Sequence, residues 1–230
     1  MGKEVLIIMP IKTKNDLDYY LKADLIAFGI KEKKNLLLRL LSRDRILKYQ
    51  ILLRKTEFYF NNKGILYYKI LYYFYALRLR KQSLKLGFHI PINKIGPGLT
   101  LQAGPTRINS GAKIGRNCSI HVGVIIATKA GFSDKAPTIG DNVYIGPGAK
   151  LFGDIKIANN CAIGANAVVT KPFENENKVI AGVPAKEISD INIKDILIAA
   201  TEIIDLKIPD EDYLGLPAKE TSDKLKKYGY

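Results

Sequence analysis

The chain has no tryptophan and only two cysteines, two histidines and two methionines in 230 residues. Two thiols cannot build a disulfide framework, and with two histidines they form no zinc pattern, so a reducing compartment and no metal are expected. No apolar run approaches the roughly 18 residues a spanning helix needs, which points to a soluble, cytoplasmic protein. Neither a G-x-x-x-x-G-K-[ST] loop nor a strand-bound G-x-G-x-x-G is present, so nucleotide folds of those types are excluded. Acidic residues are short as well: 36 Lys+Arg face 22 Asp+Glu, a net charge of +14, which favours an anionic partner.

That charge is unevenly placed. Residues 1–90 hold 19 Lys+Arg against 7 Asp+Glu, a net of +12, and residues 91–230 hold 17 against 15, a net of +2. The first segment is rich in Leu, Ile, Lys, Arg and Tyr, and its patterning predicts helices over 14–28, 33–60 and 65–86, with a stop at Asn61-Asn62-Lys63-Gly64. Leu66, Ile70, Tyr73, Leu77 and Leu84 recur near helical spacing, so they are expected to bury while Lys69, Arg78, Arg80, Lys81 and Lys85 stay wet. The basic, Tyr-rich stretch from Tyr67 to Lys81 suits packing within an oligomer or peripheral attachment to an anionic membrane; nucleic acid is the weakest fit.

From Ile95 the grammar changes to a repeat. Aliphatic residues stand at Ile139, Ile145, Leu151, Ile157, Ile163 and Val169, a period of six, and Ile108, Ile114, Ile120 and Ile126 keep the same period upstream. Three residues after the aliphatic comes Asn or Gly, as at Asn117, Gly123, Asn142, Gly148, Asn160 and Asn166. These residues tolerate the positive φ of a sharp corner. Four residues after it comes a small or branched apolar residue, and both cysteines, Cys118 and Cys161, fall there as inward core residues. Ten aliphatics in phase define a hexapeptide repeat, whose fold is a parallel β-helix of stacked triangular coils. The period breaks between Ile126 and Ile139, 13 residues instead of 12, so a loop over 128–137 leaves the coil, and loops on rigid scaffolds commonly carry function.

The segments IGPGLTL, NSGAKIGRNCSIHVGV, APTIGDNVYIGPGAKLFGDIKI, AIGANAVVTK and AGVPAKEIS resemble the serine acetyltransferase branch of the hexapeptide acyltransferases. The likeness is strongest to members from bacterial polysaccharide gene clusters and covers about residues 12–190. The resemblance implies a left-handed β-helix, usually a homotrimer, that moves an acetyl group from acetyl-CoA to a hydroxyl, here of serine or a polysaccharide-precursor sugar. It implies three regions: a helical one over 1–90, the coil over 91–189 and a C-terminal extension over 190–230. It also maps CoA contacts to Ala127, Gly146, Ala149, Gly164 and Ala165. Basic residues suited to the CoA phosphates are Lys129 and Lys135 in the loop and Lys150, Lys171 and Lys186 near the later coils.

Two positions depart from that pattern. The family's histidine near LTLQAGPTRIN is replaced by Gln102-Ala103-Gly104, and the second, just before the loop proline, is Ala136. His121 lies 19 residues after Gln102, three hexads plus one residue, so it is expected to stack beside Gln102 about one strand spacing (~4.8 Å) away and to serve as the base. His89, where helices hand over to the coil, is expected to be a packing residue. The competing reading is a catalytically impaired homologue that binds CoA or acts as a scaffold.

Overall fold

A computed structural model of the chain describes residues 6, 8–29, 44–132 and 134–230. Among the described residues, three helices come first. α1 (Lys14–Ala27) is opened by a reciprocal cap in which Thr13 Oγ1 accepts from Asp16 N–H and the Asp16 carboxylate accepts from Thr13 N–H. α2 (Arg45–Asn61) starts on Asp44, whose carboxylate accepts from the N–H groups of Ile46 and Leu47. Residues 33–43 of the predicted long helix lie outside the described residues. α3 (Leu66–Leu86) ends at Gly87, which takes φ +72°.

The coil follows as a left-handed parallel β-helix with three faces. The first face runs β1 (Phe88–His89), β3 (Thr106–Ile108), β6 (Ile125–Ala127), β9 (Lys150–Phe152) and β12 (Val168–Val169). The second holds β4 (Lys113–Ile114), β7 (Thr138–Ile139) and β10 (Lys156–Ile157). The third stacks β2 (Thr100–Leu101), β5 (Ser119–Ile120), β8 (Tyr144–Ile145), β11 (Ala162–Ile163) and β13 (Lys178–Gly182), closed by the antiparallel β14 (Ala185–Asp190). Every in-phase aliphatic from Ile108 to Val169 is fully buried, as are Cys118 and Cys161. The corner residues Asn117, Asn142, Asn160 and Asn166 all take φ between 53° and 57°. A first rung already forms at Phe88–His89, three residues inside the region expected to be helical.

The hexad period requires each inward aliphatic to sit above its equivalent, and the registers Leu101↔Ile120, Ile120↔Ile145 and Ile145↔Ile163 show that it does. At the corner after the second face the backbones approach so closely that a Cβ on Gly115 would lie 2.6 Å from the Gly140 carbonyl oxygen. Just beyond, the amides of Asn117, Asn142 and Asn160 form a ladder, Nδ2 of each donating to Oδ1 of the next at 2.8 and 2.9 Å.

The open upper end of the coil is capped by side chains from α1 and α2. Gln50 does the work of a missing strand, donating to Leu99 O at 2.7 Å and accepting from Leu101 N–H at 3.1 Å. The wholly buried Arg54 donates to the carbonyls of Ile95 and Gly96 and pairs with the buried Asp24 and Glu57. Those carboxylates in turn accept from Leu99 and Asn93 N–H.

The C-terminal extension over 190–230 is folded. It contains α4 (Ala200–Asp205) and α5 (Ala218–Leu225). Ile193 and Leu197 cover Ala162, Tyr144 and Val179 on the third face, and Ala200 and Ile203 pack with Ala23 and Ile26 of α1.

α3 differs from expectation in which face it buries. Leu79 is buried, and Tyr75 and Tyr72 meet Tyr59 and Phe60 of α2. The residues read as its buried face, Leu66, Ile70, Tyr73, Leu77 and Leu84, are 58–78% exposed. Periodicity finds an apolar stripe, but α3 is apolar on two sides, and α2 takes the other one.

Candidate functional site

His121 follows the inward Ile120 at the corner between the third and first faces, so its side chain points outward on the same side of the strand as Ser119. Its N–H donates to Ile145 O and its carbonyl accepts from Thr106 Oγ1 at 3.3 Å, which holds the backbone within the ladder. The expected stacking holds: Gln102 N–H donates to Ile120 O, so Gln102 and His121 occupy successive rungs of one corner. Tyr144, the outward residue of the next rung, lies with its ring centroid 4.7 Å from the imidazole at an interplanar angle of 57°. The ring is half-buried, and that burial alone moves its pKa below the ordinary imidazole value. A neutral imidazole at neutral pH is therefore its resting form, ready to accept a proton.

Below His121 the same corner column carries Gly146 and Gly164-Ala165, each rung's N–H donating one coil down, Gly146 to Ile163 O and Gly164 to Ile180 O at 2.8 Å. A Cβ on Gly146 would fall 2.8 Å from Ala165 N, so Gly146 is buried against the next rung, whereas Ala165 on that rung is exposed. The structure thus brings His121, Gly146, Gly164 and Ala165 to one edge of the first face.

The other expected contacts divide. Ala127 and Lys129 stand at the opposite edge of that face, where the loop over 128–137 leaves the coil, and Ala127 pairs with Phe152. The Nζ atoms of Lys129 and Lys135 lie 5.5 and 4.3 Å from the centroid of the Phe132 ring. Lys171 and Lys186 line one open pocket of about 600 Å³ at the end of the coil, together with Glu174 and Glu187.

Three residues stand otherwise than expected. Ala149 is fully buried, because it occupies the small inward position of its hexad, and its side chain offers a ligand nothing. Lys150 is committed to the fold: Nζ donates to Gly123 O at 2.8 Å and Gly148 O at 2.9 Å, satisfying carbonyls at two successive corners. His89 is exposed on the first rung of the first face, opposite Arg107, and does not pack as expected.

Tyr144 is the residue that reading the sequence missed. Its signal was present: it precedes inward Ile145 as Ser119 precedes Ile120, so a residue after Ile120 meets it diagonally. A separate cavity of about 980 Å³ lies by the corner between the second and third faces, lined by residues of the leader and α1 with Gly96, Gly115, Arg116 and Asp141, and does not include His121.

With this geometry in place, comparison with known proteins is informative. Residues 136–171 match the family model described as bacterial transferase hexapeptide (six repeats). The chain is 43% identical over 82 residues to the serine acetyltransferase of Mycobacterium tuberculosis, covering 35% of each protein. It is 40% identical over 96 residues to that of Staphylococcus aureus strain Mu50, covering 41% of this chain and 45% of the relative. The chain therefore spans less than half the length of the curated relatives it matches. Among solved structures, a Neisseria gonorrhoeae serine acetyltransferase superposes with a TM-score of 0.59 at 26% identity, over 77% of this chain and 68% of that one. A Brucella abortus serine acetyltransferase solved with coenzyme A shares the fold at a TM-score of 0.59 and 23% identity, over 77% and 70%.

Proposed function

We propose that this chain, a hexapeptide-repeat protein similar to the serine acetyltransferases, transfers acetyl from acetyl-CoA to a small-molecule hydroxyl, with His121 as the base. The observation that carries the reading is the neutral, half-buried His121 at the head of a glycine-rich corner column. In the step proposed, the imidazole takes the proton of the acceptor hydroxyl as its oxygen attacks the thioester carbonyl. The tetrahedral adduct then collapses to an acetyl ester, and the expelled CoA thiolate recovers the proton, so the base is restored. Tyr144 limits the swing of the imidazole and keeps water from one side of it.

The corner column and the lysine-bearing loop lie on opposite edges of one face. This favours a homotrimer in which the His121 edge of one copy meets the loop edge of the next, with Lys129, Lys171 and Lys186 offered to the CoA phosphates. Serine is the acceptor favoured by the relatives' names, and a polysaccharide-precursor sugar is the alternative. A CoA-binding scaffold is the second reading. It is favoured by Gln102 and Ala136 at the two family histidine positions and by a His121 whose pKa responds to burial with no carboxylate beside it.

The test is thiol release from acetyl-CoA with L-serine and several nucleotide-linked sugars, in wild-type protein and His121→Asn. Turnover with one acceptor, reduced about 10²–10⁴-fold in kcat by the substitution, is expected. Full activity of His121→Asn would remove the catalytic role, and CoA binding without turnover on any acceptor would establish the scaffold.

A further inference from the structure

α3 presents a surface that acetyl transfer does not use. Its inner side packs on α2 through Tyr68, Tyr72, Tyr75 and Leu79, whereas Leu66, Ile70, Tyr73, Phe74, Leu77 and Leu84 on its outer side are 50–78% exposed. At 100° per residue these six fall within an arc of about 100°, a stripe along one side of the helix interrupted by Lys81 alone. Together with Ile65 and Tyr67, they present on the order of 1,000 Å² of largely apolar surface, beyond what a soluble monomer ordinarily leaves open.

The flanks of the stripe are basic. Lys69 and Arg80 border one side, Arg78 and Lys85 the other, Lys81 stands within the stripe between Leu77 and Leu84, and all five are exposed. No Asp or Glu occurs anywhere in Leu66–Leu86. An apolar stripe with tyrosines, edged by cations and free of carboxylates, matches the interface of an anionic bilayer: the stripe enters the acyl boundary and the cations meet lipid phosphates. No helix among the described residues is long and apolar enough to cross a membrane, so α3 would lie in the interface plane. Two-fold pairing of this face with a second copy fits less well, because it sets five cations against five with no carboxylate between them, and a heterologous contact with another face of a neighbouring copy is the outcome that sedimentation without lipid separates. The carboxylates Asp24 and Glu57 of the neighbouring helices are buried on Arg54 and cannot compensate.

We infer that the outer face of α3 is a docking surface for an anionic lipid bilayer. The inference stands independently of the acetyl-transfer reading, since it uses none of the corner residues.

The experiment is co-sedimentation of the full chain with vesicles of phosphatidylcholine alone or with 30% phosphatidylglycerol, at low and high salt, with sedimentation velocity run in parallel without lipid. Pelleting with the anionic vesicles alone, relieved by salt, is expected. Ile70→Asp/Leu77→Asp should abolish it, and Lys69→Gln/Arg80→Gln should weaken it about 25-fold, from about fivefold per cation near the surface. All these positions are solvent-exposed, so circular dichroism should show both variants folded. Absence of pelleting, equal pelleting with both vesicle types, or a smaller sedimenting species for Ile70→Asp/Leu77→Asp in the absence of lipid would each overturn the inference, the last by assigning the face to a second copy.

Discussion

Replacing Arg54 by methionine removes the cation that pairs with the buried Asp24 and Glu57 at the junction between helices and coil. In the wild type its Nε and Nη2 hold Asp24 at 2.8 and 3.2 Å, Nη1 reaches Glu57 at 3.1 Å, and the guanidinium also satisfies Ile95 O at 2.9 Å and Gly96 O at 2.6 Å. Burial pushes the Asp24 and Glu57 carboxyls up from the usual carboxylate range, and Arg54 is the principal group drawing them back. Breaking a buried pair on one side costs roughly 3–5 kcal/mol, and here two carboxylates and two carbonyls are orphaned at once, so about 5 kcal/mol at neutral pH is expected. That is comparable with the whole stability of many domains. The sign with pH follows from linkage. Without the cation both carboxyl pKa values rise further in the folded state, the folded protein binds protons that the unfolded chain releases, and stability falls as pH rises from the ordinary carboxylate range through the raised folded values. Urea unfolding monitored by circular dichroism at pH 5 and pH 8 measures it, with the larger loss at pH 8. The triple variant Arg54→Met/Asp24→Asn/Glu57→Gln, which removes the buried charge altogether, should recover part of the loss and flatten the pH dependence. A loss below about 1 kcal/mol in Arg54→Met, or stability that increases with pH, would refute the idea that this cluster seals the coil.

Burial alone lowers the His121 pKa, so the acid limb of log kcat/KM against pH should lie below the ordinary imidazole value of 6.5, and exposing the ring by Tyr144→Ala should move that limb upward; an unmoved limb would separate the titrating group from His121. Lys150→Met should lower stability by about 1–2 kcal/mol through loss of its bonds to Gly123 O and Gly148 O, while leaving the KM for acetyl-CoA unchanged. Thermal denaturation and initial rates distinguish this from a phosphate-binding lysine, whose loss would raise KM.

The coil was legible because each of its requirements is local and recurs every six residues. Ile139, Ile145 and Ile163 are inward, and Asn142 and Asn160 are corners with positive φ, for reasons contained within one rung and the rung beside it. Cys118 and Cys161 followed from the same count. Stacking of His121 beside Gln102 was legible too, since it needs only the period and one irregularity. Lys150 shows where that reasoning stops. Its type and position suit a phosphate, yet the carbonyls it meets belong to two different coils, and only their spatial approach commits it to the fold. α3 shows a second limit. A helix with apolar residues on both sides has two candidate inner faces, and which one α2 covers is decided by the hairpin between them.

By itself, the sequence determined the helical leader, the hexapeptide coil, the placement of the cysteines and the corner on which His121 stands, because a repeating hydrophobic period and positive-φ residues act over a few neighbours. The tertiary structure alone decided what closes the coil and what stays open. Arg54, Asp24, Gln50 and Glu57 meet backbone groups up to 75 positions away, counted from Asp24 to Leu99. The C-terminal extension returns to cover the third face. These contacts are set by the need to satisfy buried backbone polar groups and to cover apolar surface, and no local pattern announces which distant segment will do so.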